Sequence, residues 1–345
     1  MKETPSQLPI PAFVMNFPFT LDTSNPNNIW MKEMEAKDLK INKGNAYRQF
    51  LDLYQFIAGN SLVNILPTYG EYQDLVYVAN MGIYLPHIKD SNNIILSNFT
   101  SEPRQGEEKV GKPFFDLMGY QTHMCPFKWE GEADLKYLYD NVYIGGYGQR
   151  SDIQAFEWME KEFDMNIIKI EMVDEYLYHL DCSIFPLTKE KTLICTELYT
   201  PKELAHISQY TNIIDISVDD TYNGIANSAR LGNMILCASN ISELTRADEN
   251  YEAEKHKINS LEKICFNEGL EPVFFKISSL MAQHLEDWLE GEVKELSKLE
   301  VGELSNTFFF RDPMRPNYID YNHFYSPADG VILYQKYVKD ATDPI

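Results

Sequence analysis

Cationic side chains are scarce in this sequence. Thirty Lys and Arg stand against 52 Asp and Glu in 345 residues, a formal charge of −22. So acidic a surface repels phosphate backbones, which argues against general nucleic-acid binding and leaves a small cationic ligand favoured by the field. Cysteine is sparse too. Cys125, Cys182, Cys195, Cys237 and Cys265 are odd in number, scattered and without a CxxC pair. That supports neither a disulfide framework nor a zinc site, and a reducing cytoplasm is the expected location. No run approaches the ~18 apolar residues of a membrane span. The opening Met-Lys-Glu-Thr-Pro-Ser-Gln lacks the apolar centre of a secretory signal. No phosphate-binding glycine loop, dinucleotide fingerprint or metal-ligand spacing is present, so neither a metal nor a bound cofactor is expected.

Material for a core is plentiful. Hydrophobic residues make up 44%, with 22 Tyr and 19 Phe. Short β-like runs at 74–80, 93–97, 142–144, 167–172, 176–184, 192–196, 213–217, 234–238 and 272–277 alternate with helical stretches. Residues 152–163 place Ile153, Phe156, Met159 and Phe163 on one helical side. Thr200-Pro-Lys-Glu203 is a helix start with a Thr cap, Pro first and Glu third. A long polar helix is expected over 242–267, ending at Gly269. The alternation predicts an α/β fold without an exact sequence repeat. From about residue 284 the texture turns acidic, which reads as a solvated helix or linker. We place a domain over 1–283 and a separate appendage over 284–345.

Four groups of residues could carry chemistry. On a strand, His179 and Asp181 of Tyr178-His179-Leu180-Asp181 share a face, and a carboxylate beside an imidazole suits a general acid/base. A partly buried structural histidine is the competing reading. In Trp129-Glu130-Gly131-Glu132-Ala133-Asp134, three carboxylates around a glycine turn match the paired N–H donors of a planar cation; an acidic surface turn is the alternative. If 74–80 is a strand, Asp74 and Asn80 reach one pocket. Arg104 and Arg150 suit either a substrate carboxylate or structural salt bridges.

The order of these pieces resembles a known group. Asn27-Asn-Ile-Trp-Met31, Pro67-Thr-Tyr-Gly-Glu-Tyr-Gln-Asp-Leu-Val-Tyr-Val-Ala-Asn80, Phe99-Thr-Ser-Glu-Pro-Arg104, Trp129 to Asp134, Gly148-Gln-Arg150, Tyr178 to Asp181 and Asn223-Gly-Ile-Ala-Asn227 look like the guanidino-group-modifying superfamily. Its members include dimethylarginine dimethylaminohydrolases, arginine deiminases, amidinotransferases and arginine dihydrolases, and Asn80 is most similar to the dihydrolase branch. The resemblance covers about residues 10–283. It implies a five-bladed α/β propeller, the pentein fold, and a guanidino substrate such as arginine. It places Glu130 and His179 in the catalytic group. It puts Asp74, Asn80, Arg104, Arg150 and Asp181 on the substrate, with Asp134 beside them in the acidic turn. In that family a thiolate attacks the guanidinium carbon while His protonates the departing amine. The nucleophilic cysteine follows a glycine-rich turn after the last strand. Here Phe274-Phe-Lys-Ile-Ser-Ser-Leu-Met-Ala-Gln-His-Leu285 has neither glycine nor cysteine. Cys265 lies one strand too early, and Cys182 falls on the opposite strand face from His179. Hydrolysis of a guanidino C–N bond and a non-catalytic domain of the same fold are therefore both open.

The tail resembles something else. Phe308-Phe-Phe-Arg-Asp-Pro-Met-Arg-Pro316 and Ser326-Pro-Ala-Asp-Gly-Val-Ile332 look like the early part of a phosphatidylserine decarboxylase proenzyme. There the Asp of Ala-Asp-Gly, here Asp329, helps drive the self-cleavage that makes a pyruvoyl group. The rest of that machinery would lie beyond Ile345. The competing reading is a simple turn, because Ser-Pro and Asp-Gly are turn formers.

Overall fold

Short apolar runs punctuated by polar turns pair with near neighbours, and the described residues build five small sheets instead of one wide one. The computed structural model describes residues 11–34, 41–89, 92–248 and 250–278, all within one compact unit. The boundary expected after residue 283, the acidic segment and Asp329 lie outside the described residues.

The first sheet pairs β1 (Ala12–Asn16) with β2 (Leu62–Leu66) in parallel, with α1 (Ile29–Glu33) and α2 (Lys43–Asn60) between them. Four units of one design follow: two antiparallel strands, a helix, then a strand parallel to the second. They are β3 (Gly82–Tyr84), β4 (Asn93–Leu96), α3 (Glu108–Leu117) and β5 (Gln121–Met124); β6 (Leu135–Tyr139), β7 (Val142–Tyr147), α4 (Ile153–Phe163) and β8 (Asn166–Glu171); β9 (Ile184–Pro186), β10 (Lys191–Ile194), α5 (Pro201–Ile207) and β11 (Asn212–Asp215). A short helix, α6 (Val218–Tyr222), leads into β12 (Ser228–Leu231), β13 (Met234–Ala238), α7 (Tyr251–Glu268) and β14 (Glu271–Phe275).

Each sheet packs on the next. Leu66 meets Ile94, Leu96 and Phe115; Ile83 and Ile95 share a cluster with Tyr143, Phe156 and Ile167; Ile144 and Ile168 meet Ile194 and Ile207; Phe185 and Leu193 meet Ile235 and Leu261. The last sheet also reaches the first, through Ile57 with Leu231 and Leu236. Full burial of side chains the size of Phe156 stabilises this packing, and truncating one typically costs about 3–5 kcal/mol.

Most expected elements form where the periodicity put them. α4 starts just after Asp152, Thr200 and Glu203 make a capping box, and Gly269 ends α7 at φ +67°. Three expectations are corrected. Residues 74–80 are not a strand: Tyr77 N–H bonds back to Asp74 O, and the chain turns into a 3-10 helix over Val78–Met81. Residues 176–183 are not one either, and of the expected run only Ile184, the start of β9, is strand. The rest forms an irregular loop and a 3-10 turn over Leu180–Cys182, because Leu180 N–H turns to the Asp134 carboxylate instead of a strand partner. Same-face alternation therefore explains neither Asp74 with Asn80 nor His179 with Asp181. The helix expected over 242–267 divides into a 3-10 turn, Ile241–Glu243, and α7.

Candidate active site

The repeated unit determines where polar side chains gather. β6 starts at the edge of its sheet where β7 and β8 end, with Leu135 opposite Gly145 and Gly145 opposite Lys169. Residues just before β6, just after β7 and just after β8 therefore converge. They are Glu130 and Asp134, Arg150 and Ser151, and His179. The preceding unit presents the same edge: Asn80 comes just before β3, and Thr100, Ser101 and Arg104 come after β4.

His179 is buried at the centre. Its Nδ1–H donates to Asp134 Oδ1 at 2.8 Å, and Nε2 lies 3.2 Å from Asn80 Nδ2 and 3.5 Å from Glu130 Oε2. Burial works against a charged imidazole, but Asp134, through its charge and hydrogen bond, outweighs it with help from Glu130 and Asp181. The ring is held above its ordinary pKa. A neutral ring accepts the Asn80 amide at Nε2, whereas a charged one has Glu130 as acceptor. That geometry suits a group that takes up and returns a proton.

Glu130 is fully buried. Its Oε1 accepts the Thr100 and Ser101 backbone N–H groups at 3.0 and 2.8 Å, while Oε2 has no hydrogen-bond partner and lies 3.6 Å from Arg150 Nη1. The approach of two loops makes this possible at Gly131, where φ is +71° and a Cβ would sit 2.5 Å from Asn80 C. Asp74 is buried and accepts Asn27 Nδ2 at 2.5 Å and Gln73 Nε2 at 3.1 Å. Burial pushes its carboxyl pKa up, against the pull of Arg104. Asp181 stands 3.8 Å from Lys136 Nζ, and its pKa is likewise raised by burial.

The two arginines differ. Arg104 commits Nε and Nη2 to Glu107 at 3.0 and 2.8 Å, donates to the Asp74 and Tyr77 carbonyls, and lies over the Phe99 ring. Arg150 lies over Tyr178, donates to Asn27 O at 2.5 Å and lines a cavity of about 750 Å³ with Tyr178, Asn27, Thr100 and Ser101. Glu130, His179, Asp134, Asn80 and Asp74 are not part of that cavity's lining; Arg150 and Tyr178 line it on their side. Sequence reasoning missed Ser151, Gln73 and the two backbone donors to Glu130, because no periodicity or residue type distinguishes them.

No sulfur lies within hydrogen-bonding reach of either His179 ring nitrogen among the described residues. Burial raises the pKa of all five thiols, Cys125 and Cys265 to about 11. Cys182 also faces the Asp181 carboxylate, which disfavours a thiolate further. Ser278, after β14, is buried between Gln49 and Glu243 at 3.1 and 2.9 Å. Among the described residues no group of three or more His, Cys, Asp and Glu is arranged to hold a metal, and no helix is long and apolar enough to cross a membrane.

The family model for N,N dimethylarginine dimethylhydrolase, eukaryotic, matches residues 16–263. The chain belongs to that family. The bifunctional arginine dihydrolase/ornithine cyclodeaminase AgrE of Nostoc sp. is 30% identical over 178 residues, 51% of this chain and 24% of the relative. The N(G),N(G)-dimethylarginine dimethylaminohydrolase of Mycobacterium tuberculosis is 25% identical over 158 residues, 46% of this chain and 49% of the relative. The matched stretch thus spans about a quarter to a half of these relatives' length. Among solved structures, the N-terminal domain of ArgZ, an arginine dihydrolase from cyanobacteria, bound to its substrate, superimposes with a TM-score of 0.67 at 22% identity, covering 79% of this chain and 93% of that one. DDAH from Pseudomonas aeruginosa, complexed with citrulline, gives a TM-score of 0.58 at 14% identity, covering 79% and 95%. These structural matches establish a shared α/β fold. The family match, apart from these structures, makes this a domain of guanidino-hydrolase type.

Proposed function

We propose that the five sheets close into a five-bladed propeller and that the site at their common edge recognises a small guanidino cation, arginine or a close relative. The packing of the last sheet on the first supports closure. One observation carries the ligand reading: Glu130 is held by two backbone donors at Oε1, while its buried Oε2 faces His179 and Arg150 without a hydrogen bond. That oxygen keeps only long ion-pair contacts, 3.5 Å to His179 Nε2 and 3.6 Å to Arg150 Nη1, and a guanidinium N–H is a matched hydrogen-bond donor. Asp74, Asn80, Asp134 and Asp181 complete an acidic surround for a flat cation. Arg150, between Glu130 and the cavity, suits the carboxylate of an amino acid. Arg104, tied to Glu107, supports the Asp74 loop. The arginine dihydrolase and dimethylarginine hydrolase names of the relatives support the same ligand class.

Binding is the function the geometry favours. A proton-carrying His179 and a buried Glu130 make up the acid–base half of guanidino hydrolysis. The thiolate half has no counterpart among the described residues, whose thiols all have pKa values raised by desolvation. In this reading the domain acts in the cytoplasm over 1–283, and residues 284–345 form an acidic linker and a decarboxylase-like segment carrying Asp329. Calorimetry with arginine, ornithine and guanidine tests it. We expect heat with arginine, and a greater loss of affinity for arginine than for guanidine in Arg150→Gln. No heat with any of the three would end the guanidino reading. Release of ammonia, citrulline or ornithine from arginine that disappears in His179→Ala would replace binding with hydrolysis.

A further inference from the structure

We propose that Ser151 is a positioning residue: it holds the Asp134 carboxylate in the rotation that meets His179, and so determines which ring nitrogen carries the proton. This deepens the guanidino-site reading and rests on it for its functional meaning. Ser151 is 3% exposed. Its hydroxyl donates to Asp134 Oδ2 at 2.6 Å and accepts the Glu130 backbone N–H at 3.2 Å. One side chain therefore joins the Asp134 carboxylate to the Glu130 backbone. The other Asp134 oxygen, Oδ1, takes the His179 Nδ1–H at 2.8 Å and the Leu180 N–H at 3.4 Å. A carboxylate turns easily about its last bond. Pinning Oδ2 leaves Oδ1 one direction to face, which selects the Nδ1–H tautomer and points Nε2 at Asn80 and Glu130.

Ser151 is itself held firmly. It follows β7, and its carbonyl accepts the N–H of Gly148 at 2.9 Å across the turn. The charged groups acting on His179 are Asp134, Glu130 and Asp181, with Arg150 and Lys136 behind the last two. The Ser151 hydroxyl bonds to Asp134 and to the Glu130 backbone and not to the ring nitrogens, so its effect passes through Asp134.

The test reads the imidazole of the free, full-length protein. Long-range ¹H–¹⁵N spectra over a pH series report tautomer and pKa, with His179 assigned from its loss in His179→Gln. We expect an Nδ1–H ring in the wild type, titrating above about 6.5. In Ser151→Ala the neutral ring should become a mixture of tautomers and its pKa should fall toward about 6.5. Ser151→Cys, nearly the same shape but a weaker donor, should fall in between, and it decides the matter if the alanine variant does not fold. An unchanged or higher His179 pKa with an unchanged tautomer in a folded variant would overturn the proposal. Arginine calorimetry on the wild type is read separately: silence there removes the guanidino reading without altering the His179–Ser151 result.

Discussion

The units β6–β8 and β12–β14 share one design, yet they use the same edge differently. In the first, the edge residues Glu130, Asp134, Ser151 and His179 form a connected buried network with one carboxylate oxygen left over. In the second, the corresponding positions hold Glu243 after β13 and Ser278 after β14; Ser278 donates to Glu243 and accepts from Gln49, with Lys276 closing the group on Glu243 at 2.5 Å. One edge keeps a buried carboxylate oxygen on long ion-pair contacts alone; the other ties its groups together by direct hydrogen bonds and a short ion pair. The same backbone frame thus delivers either a ligand site or a structural knot, and side-chain pairing decides which.

Breaking the first network should have the largest effect. Asp134→Ala removes the partner of both His179 and Ser151. Losing one member of a buried ion pair typically costs about 3–5 kcal/mol, and denaturant unfolding should show a loss of that size together with loss of arginine heat. Gly131→Ala comes next, because its Cβ meets Asn80 backbone at 2.5 Å with φ at +71°. A cost of about 1–3 kcal/mol is expected for such strain, and weaker arginine binding should accompany it as Asn80 moves. Ser278→Ala sharpens the contrast. It should cost about 1 kcal/mol in unfolding and leave arginine binding intact; a large drop in affinity would mean that this edge belongs to the site.

The smallest expected effect is pH dependence. The folded pKa of His179 lies above its unfolded value, so its contribution to stability is full below about 6.5 and is lost as pH rises through the folded value. Unfolding measured across that window should fall more steeply in the wild type than in His179→Gln. Parallel curves would show that folding does not raise the His179 pKa, and an opposite slope would show that the fold keeps the imidazole neutral.

Much of this was legible beforehand. The strands at 93–97 and 234–238, the α4 stripe and the Thr200 cap follow from local rules, because side-chain period and capping chemistry act within a few residues. Glu130 and His179 stood out through the order of the motifs. The route by which they meet did not. Residues 74–80 and 176–184 have apolar content suited to strands, but the turn at Asp74 and the pull of Asp134 on Leu180 N–H outweigh that tendency. Arg104 and Arg150 look alike in sequence; only the buried Glu107 beside one and the cavity beside the other separates them.

The sequence by itself determined the acidic field, the thiol count, the α/β rhythm and the identity of the groups available for chemistry. The tertiary structure alone decided which of them act together, since Asp134, Ser151 and His179 meet only where three strand ends of one sheet converge. The physical reason is range. Period and composition act between near neighbours along the chain, whereas a carboxylate's partner, burial and proton affinity depend on what folding brings within about 3 Å of it.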